Sequence, residues 1–289
     1  MSKILVTGAT GHLGGSVIET LLKKISPSGI SILTRNEEKR KDFESKGFNA
    51  FLGSYENVIS LENAMNDVET VLLISSGDQG DRMLEHRNVI DMASKKGVKH
   101  IAYTSRCLNN PDTLVNKLMK EHFQTEDYII KSGLKYTFFR NILYMDVVPQ
   151  FIGGNSALLN GIFLPAGDGK VSFALRSEMG EAMGNVLLNT MVGNRIYNFT
   201  GSETYTFHDV AAVLTELTGK EVKYTNVENE LYHAQMKQRN LPESVILKIA
   251  DFITDVRNNQ EADIYDDLKN ELGRKPTNLK EGLKRLFGL

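Results

Sequence analysis

Short apolar runs alternate with amphipathic stretches through the first half of the chain, the pattern of parallel strands joined by helices. Ile4-Leu5-Val6 reads as a buried strand that breaks at Gly8 into a turn, and the turn opens a helix carrying Val17, Ile18, Leu21 and Leu22. A second strand is expected over 29–34, a helix over 37–46 and a third strand over 48–52. The fourth strand, Thr70 to Ser75, is apolar almost throughout, as a strand buried on both faces should be. A helix from Arg82 to Lys96 stops at Gly97, and Ile101 to Thr104 resumes the sheet. A helix over Val115 to Ser132 ends at Gly133, the usual left-handed stop, and Tyr136 to Arg140 makes a sixth strand.

Beyond this point the pattern changes. Phe151 to Lys170 is rich in Gly and Asn, with Gly167-Asp168-Gly169-Lys170 as a turn. A helix from about Ser177 to Thr190 and a strand over Arg195 to Phe199 return to the sheet. The remainder is mostly helical, with Thr206 and Asp209 spaced as a capping pair ahead of Val210, Val213, Leu214 and Leu217. The expected organisation is therefore an α/β domain over 1–150, completed by about 177–200. A smaller, mostly helical C-terminal lobe takes 151–176 and 201–289, over the open ends of the strands.

Composition narrows the function. A chain of 289 residues can bury a large core. Its net charge of −2 offers no basic field for nucleic acid, and Lys39-Arg40-Lys41, flanked by Glu37, Glu38 and Asp42, is a solvated helix face. The single cysteine, Cys107, rules out an internal disulfide framework and a thiolate zinc site, so no metal is expected. No apolar run approaches the roughly 18 residues of a membrane span, and the N-terminus enters a strand without a leader. A soluble cytoplasmic protein, without membrane or nucleic-acid partners, is the expectation.

The chemistry gathers at Lys3 to Gly15, KILVTGATGHLGG. Strand, glycine turn and helix in this order are what a dinucleotide site requires. Gly8 can take angles closed to other residues, Gly11 lets the main chain approach a pyrophosphate, and Gly14 lets helix and strand pack closely. Where an NAD site places a carboxylate after the second strand, this chain has Thr34-Arg35-Asn36. A guanidinium forks onto a 2′-phosphate that a carboxylate would repel, so Arg35 points to NADP(H) unless Glu37 or Glu38 pairs with it.

TGATGHLG, the arginine after the second strand, LLISS, EHRNVIDMASKKGVKHIAYTS, TFFRNILY and AGDGK together resemble the NmrA-like branch of the atypical short-chain dehydrogenase/reductases. Within it the chain is most similar to the bacterial type 2 NADPH:quinone oxidoreductases and the triphenylmethane dye reductases. The resemblance implies a Rossmann doubly wound sheet that binds NADPH, with the acceptor between it and the smaller lobe. Carried over by position, it implies that Gly8, Ala9, Thr10, Gly11, His12 and Leu13 hold the pyrophosphate and Arg35 the 2′-phosphate. Ser75, Ser76 and Gly77 would border the ribose and nicotinamide, as would Thr104, Ser105 and the stretch Arg140, Asn141, Ile142 to Tyr144. Where relatives often carry Asp after the third strand, this chain has Ser54, which can still hydrogen-bond near the adenine.

Typical members of the wider superfamily use a Tyr-x-x-x-Lys pair to move a proton. Here the resemblance puts Leu118 at the tyrosine position and His122 at the lysine position, which removes the phenol on which alcohol oxidation or sugar epimerisation depends. Hydride addition to a quinone yields a delocalised anion that water can protonate, so holding a planar acceptor is most of the task. Asn141 and Tyr144, just past the sixth strand, are the candidates for holding it. His122 could supply a proton near neutral pH or be a structural histidine. His86 is expected to be structural, His12 to act through its main-chain N–H, and Cys107 to be a bystander. Two functions remain open: an NADPH-dependent reductase of a flat conjugated small molecule without flavin or metal, and an NADP(H)-sensing regulator without turnover. Leu283, Leu286 and Phe287 form an apolar face that packs internally or between subunits, leaving monomer and homodimer both open.

Overall fold

The computed structural model describes residues 3–77, 80–189, 193–238 and 240–289. In chain order the elements are β1 (Lys3–Val6), α1 (His12–Leu21), β2 (Ile30–Thr34), α2 (Glu37–Ser45), β3 (Asn49–Leu52), α3 (Val58–Ala64), β4 (Val68–Leu73), α4 (Arg82–Lys95), β5 (His100–Arg106), α5 (Lys117–Ser132) and β6 (Lys135–Asn141). There follow α6 (Val148–Ile152), α7 (Ala157–Asn160), β7 (Ile162–Leu164), α8 (Arg176–Leu188), β8 (Arg195–Phe199), α9 (Phe207–Thr218), β9 (Tyr224–Asn226), α10 (Asn229–Gln238), α11 (Glu243–Arg257), α12 (Asp267–Leu272) and α13 (Leu279–Phe287). Packing divides them into two compact units, one of residues 1–106, 121–141 and 176–198, the other of 107–120, 142–175 and 199–289. Among the described residues no helix is long and apolar enough to cross a membrane.

The first unit is a doubly wound sheet in the order β3-β2-β1-β4-β5-β6-β8, and every pair from β3 to β6 runs parallel. Strand order reverses between β1 and β4, the point at which open α/β sheets bind ligands beyond their carboxyl ends. Leu5, Val71, Leu73, Ile101 and Phe138 pack with Leu61, Val89 and Ile90 into one apolar core. On the other face α1 and α8 approach so closely that a methyl group on Gly180 would lie 2.6 Å from Ser16 Cβ, and one on Gly184 2.5 Å from Thr20 Cβ. The helix expected over 177–190 is thus α8; its expected end at Thr190 lies outside the described residues.

His100, at the start of β5, is buried with its Nε2 3.0 Å from Thr137 Oγ1. Burial lowers its pKa from 6.5 to about 4. A depressed histidine is neutral in the folded state, so protons bind the unfolded chain preferentially and stability falls as pH drops from 6.5 towards 4. Between pH 6.5 and 5 this one residue is expected to cost roughly 2 kcal/mol. Urea unfolding at pH 7 and pH 5 should show His100→Gln losing less stability than wild type by about that amount. Equal losses would remove His100 from the acid response.

The second unit is built on Met145, Val148, Ile162, Leu164, Val171, Phe173, Phe207, Val210, Leu214, Ile246, Ile253 and Leu283. Thr206 and Asp209 form the expected capping box at the start of α9. Leu283 is buried in this core, with Leu286 and Phe287 packed against it, so the apolar face of α13 packs internally. The Gly- and Asn-rich stretch 151–170 contains the end of α6, then α7 and β7, which pairs in parallel with β9. Residues 107–120 and 142–150, assigned from sequence to the sheet domain, pack in this unit. The cause is polar anchoring: the Asp255 carboxylate accepts the N–H groups of Val115 and Asn116 at 2.8 and 3.0 Å. Glu261 accepts the Leu143 N–H at 3.0 Å, and Ile142 N–H donates to the Phe199 carbonyl.

Candidate functional site

At the carboxyl end of β1 the chain turns sharply. Gly8 sits at φ +61°, in the left-handed region, and its carbonyl accepts the Gly11 N–H at 3.1 Å. A Cβ on Gly14 would overlap the Gly8 carbonyl oxygen and stand 2.9 Å from Ala9 Cα, so only glycine lets the first turn of α1 lie against the loop. Helices α2, α3 and α4 start on the side-chain caps Asn36, Asn57 and Asp81, whereas α1 starts on Gly11 without one. Its first N–H groups are left to a ligand, and the positive end of the helix dipole favours an anion.

Beside this turn lies a cavity of about 480 Å³. Gly8, Thr10, Arg35, Ser54, Ser75, Ser76 and Gly77 line it together, though they come from four separate loops. Ala9 and Leu13 are buried behind the turn, and Gly11 and His12 are exposed at its rim. Arg35 is exposed and makes no ion pair among the described residues. The carboxylate that could have neutralised it, Glu37, is forked by Arg40 at 2.7 Å through both Nε and Nη2. That pairing holds the Glu37 carboxyl below the usual range. Tyr55, Glu56 and Glu85 also line the cavity, and the sequence reading missed them. Tyr55 follows Ser54 directly, and its hydroxyl sits 2.6 Å from Thr7 Oγ1 and 2.8 Å from the Ile74 carbonyl, tying the β3 loop to the ends of β1 and β4. Nothing local marks Glu85, which reaches the cavity from the first turn of α4.

The wall formed by Ser75 to Gly77 rests on a buried polar layer. Thr104 Oγ1 accepts the Ser75 N–H at 2.8 Å, and His86 Nε2 accepts the Ser76 N–H at 3.0 Å. Behind them His86 Nδ1 lies 2.9 Å from Thr125 Oγ1, and the Tyr103 hydroxyl lies 2.9 Å from His122 Nδ1. Ser76 Oγ and Ser105 Oγ are buried with no hydrogen-bond partner among the described residues. Burial, with Arg82 second, pushes His86 down to about 3, and burial pushes the Tyr103 phenol up.

The NmrA-like family pattern matches residues 1–286. The chain belongs to the NmrA-like family. This NmrA-like protein is 35% identical over 290 residues to quinone oxidoreductase 2 of Escherichia coli (strain K12), covering 99% of both chains. It resembles the crystal structure of an NADPH-dependent quinone oxidoreductase complexed with NADPH, from Escherichia coli, at a TM-score of 0.91 and 35% identity, over 98% of this chain and 99% of that one. The Citrobacter sp. triphenylmethane reductase complexed with NADP(H) is similar at a TM-score of 0.90 and 32% identity, over 98% of this chain and 99% of that one.

The structure bears on three sequence expectations in this NmrA-like chain. Of the two roles left open for His122 it favours the structural one: burial first, then the charges of Arg82 and Arg106, drive its pKa well below 6.5. The Arg140 guanidinium forks through Nε and Nη2 onto Glu126 of α5 at 2.9 and 2.5 Å. Thr104 and Ser105 stand behind the cavity wall, where Thr104 holds the Ser75 amide. Asn141 ends β6 opposite Arg106 and is buried, and Ile142 is buried just after it. Tyr144, half-buried in the second unit, bridges to Ala174. Cys107 is a buried thiol outside any disulfide. His86, as expected, is structural, but it grips the cavity wall.

Proposed function

We propose that this protein is an NADPH-dependent reductase that passes hydride to a planar conjugated small molecule such as a quinone, without flavin. The observation that carries the reading is one cavity at the β1/β4 reversal, beside the uncapped start of α1, in which the Gly8 turn meets Arg35, a guanidinium with no ion pair among the described residues. These residues fit the coenzyme. Gly14 lets the first turn of α1 lie against the Gly8 loop so that uncapped N–H groups are left for a pyrophosphate, Arg35 supplies the fork for a 2′-phosphate, and Ser76 Oγ is buried without a partner among the described residues. The relatives named above, crystallised with NADPH or NADP(H), support the same assignment.

When bound, the nicotinamide supplies the hydride. The protein's part is to place and to exclude. The Gly8 turn and the start of α1 bind the diphosphate, and Arg35 selects the phosphorylated ribose. No acid is required of the protein: Leu118 replaces the phenol, and neutral His122 is held by Tyr103, so water protonates the reduced acceptor.

Flavin-free protein mixed with NADPH and a panel of simple quinones and cationic dyes should oxidise NADPH with at least one of them. NADPH that binds yet stays unoxidised across the panel would overturn the reductase and leave an NADP(H)-sensing protein.

A further inference from the structure

The strand β4 ends in a loop whose two successive amides both point into the protein. Ser75 N–H is taken by Thr104 Oγ1 at 2.8 Å and Ser76 N–H by His86 Nε2 at 3.0 Å. A backbone N–H can only donate, so His86 Nε2 must be the lone-pair nitrogen. In a neutral imidazole the proton then sits on Nδ1 and donates to Thr125 Oγ1, 2.9 Å away. Thr125 accommodates this because its own hydrogen is directed to the Glu121 carbonyl, also at 2.9 Å. From the Ser76 N–H outward to Thr125 each direction is fixed by the one before it, and the Thr125 hydroxyl hydrogen is left for the Glu121 carbonyl or for Met83 Sδ, 3.6 Å away. The Tyr103 ring, edge-on to His86 at 5.4 Å, closes the remaining side, and His86 itself is fully buried.

We propose that His86 is a positioning residue: its Nδ1–H tautomer, required by the Ser76 N–H and accommodated by Thr125, clamps the Ser76 amide and so sets the Ser75–Gly77 wall of the coenzyme cavity. The proposal rests on the NADPH-binding reading above. Its chemistry separates it from simple core filling, since only an acceptor at the Nε2 position serves. The carbonyl oxygen of glutamine reaches that position, whereas asparagine reaches only the Nδ1 position. Burial and Arg82 keep the imidazole neutral, so the clamp persists at any pH at which the protein is folded and working.

Two measurements on the full chain test it. Imidazole nitrogen chemical shifts of wild-type protein should show an unprotonated Nε2 and a protonated Nδ1 for His86. NADPH titration should give His86→Asn an affinity weakened about tenfold and His86→Gln one within roughly threefold of wild type, because only the first leaves the Ser76 N–H unpaired. Thermal melting is expected to fall for both variants alike. An Nε2-protonated wild-type imidazole, or equal loss of NADPH affinity in the two variants, overturns the proposal. If wild-type protein does not bind NADPH at all, the coenzyme reading falls while the nitrogen shifts still decide the clamp, and they also decide it if a variant fails to fold.

Discussion

Replacing Arg35 with alanine is expected to lower affinity for NADPH ~100-fold, about 2.7 kcal/mol, and to leave affinity for NADH unchanged. The two coenzymes differ only at the 2′-phosphate, so the difference isolates what the guanidinium contributes. Hydrogen bonds to charged groups contribute about 1.5–3 kcal/mol each, and a fork makes two, but Arg35 is exposed and solvent weakens both. Local pairing does not weaken them further. Asn36 is occupied in accepting the Lys39 N–H, and Glu37 and Glu44 are both drawn to Arg40. Removal also unmasks the opposite charge: Glu56 and Glu85 line the same cavity and would then face the phosphate unopposed. Arg35→Asp should therefore go further and prefer NADH. Titration of both coenzymes at two salt concentrations checks this, with the wild-type preference shrinking at high salt. Equal losses for NADPH and NADH in Arg35→Ala would place the residue away from the ribose.

The parts of the molecule legible in the sequence are those that local chemistry determines. Six strands and the helices between them, α3 excepted, followed from apolar runs and glycine stops, most clearly where a parallel strand such as β2 or β5 is buried throughout and cannot hide its composition. Gly8 and Arg35 were legible because a turn and a strand end confine what each can do. What escaped was set by tertiary distance. The strands β7 and β9 have three residues each and lie about 60 residues apart, so neither carries a period of its own. The Glu126 carboxylate on a neighbouring helix, which takes the Nε and Nη2 of Arg140, carries no mark in the local sequence. His86 sits ten residues beyond the amide that fixes its tautomer, and its other ring nitrogen meets Thr125, a further 39 residues on. No pattern along the chain encodes that direction of donation. Asp255 and Glu261 similarly reach back more than a hundred residues to backbone amides, which moved 107–120 and 142–150 into the second unit.

Gly14→Ala is expected to abolish measurable NADPH binding, a loss beyond 100-fold, while Gly15→Ala leaves binding intact. The two glycines are neighbours on α1 with the same helix propensity, so intrinsic backbone effects cancel between them. They differ in what a methyl group meets. At Gly15 nothing lies within 4 Å, whereas at Gly14 the methyl overlaps the Gly8 carbonyl oxygen and comes within 2.9 Å of Ala9 Cα. Both of those atoms are backbone, so no side chain can swing aside. Either α1 retreats from β1 or the turn opens, and each moves the amides that would face the diphosphate. A misplacement of this kind removes several hydrogen bonds together, which is why the effect exceeds that of any single side chain. Gly8→Ala should fall between the two. Its φ of +61° costs an L-residue roughly 1–2 kcal/mol, and its methyl would press on Ile74 Cβ at 3.0 Å, a tight contact but not the backbone overlap that Gly14 would suffer. Coenzyme titration alongside thermal melting separates lost binding from lost folding. Native-like NADPH affinity in Gly14→Ala would show that the turn does not seat the coenzyme.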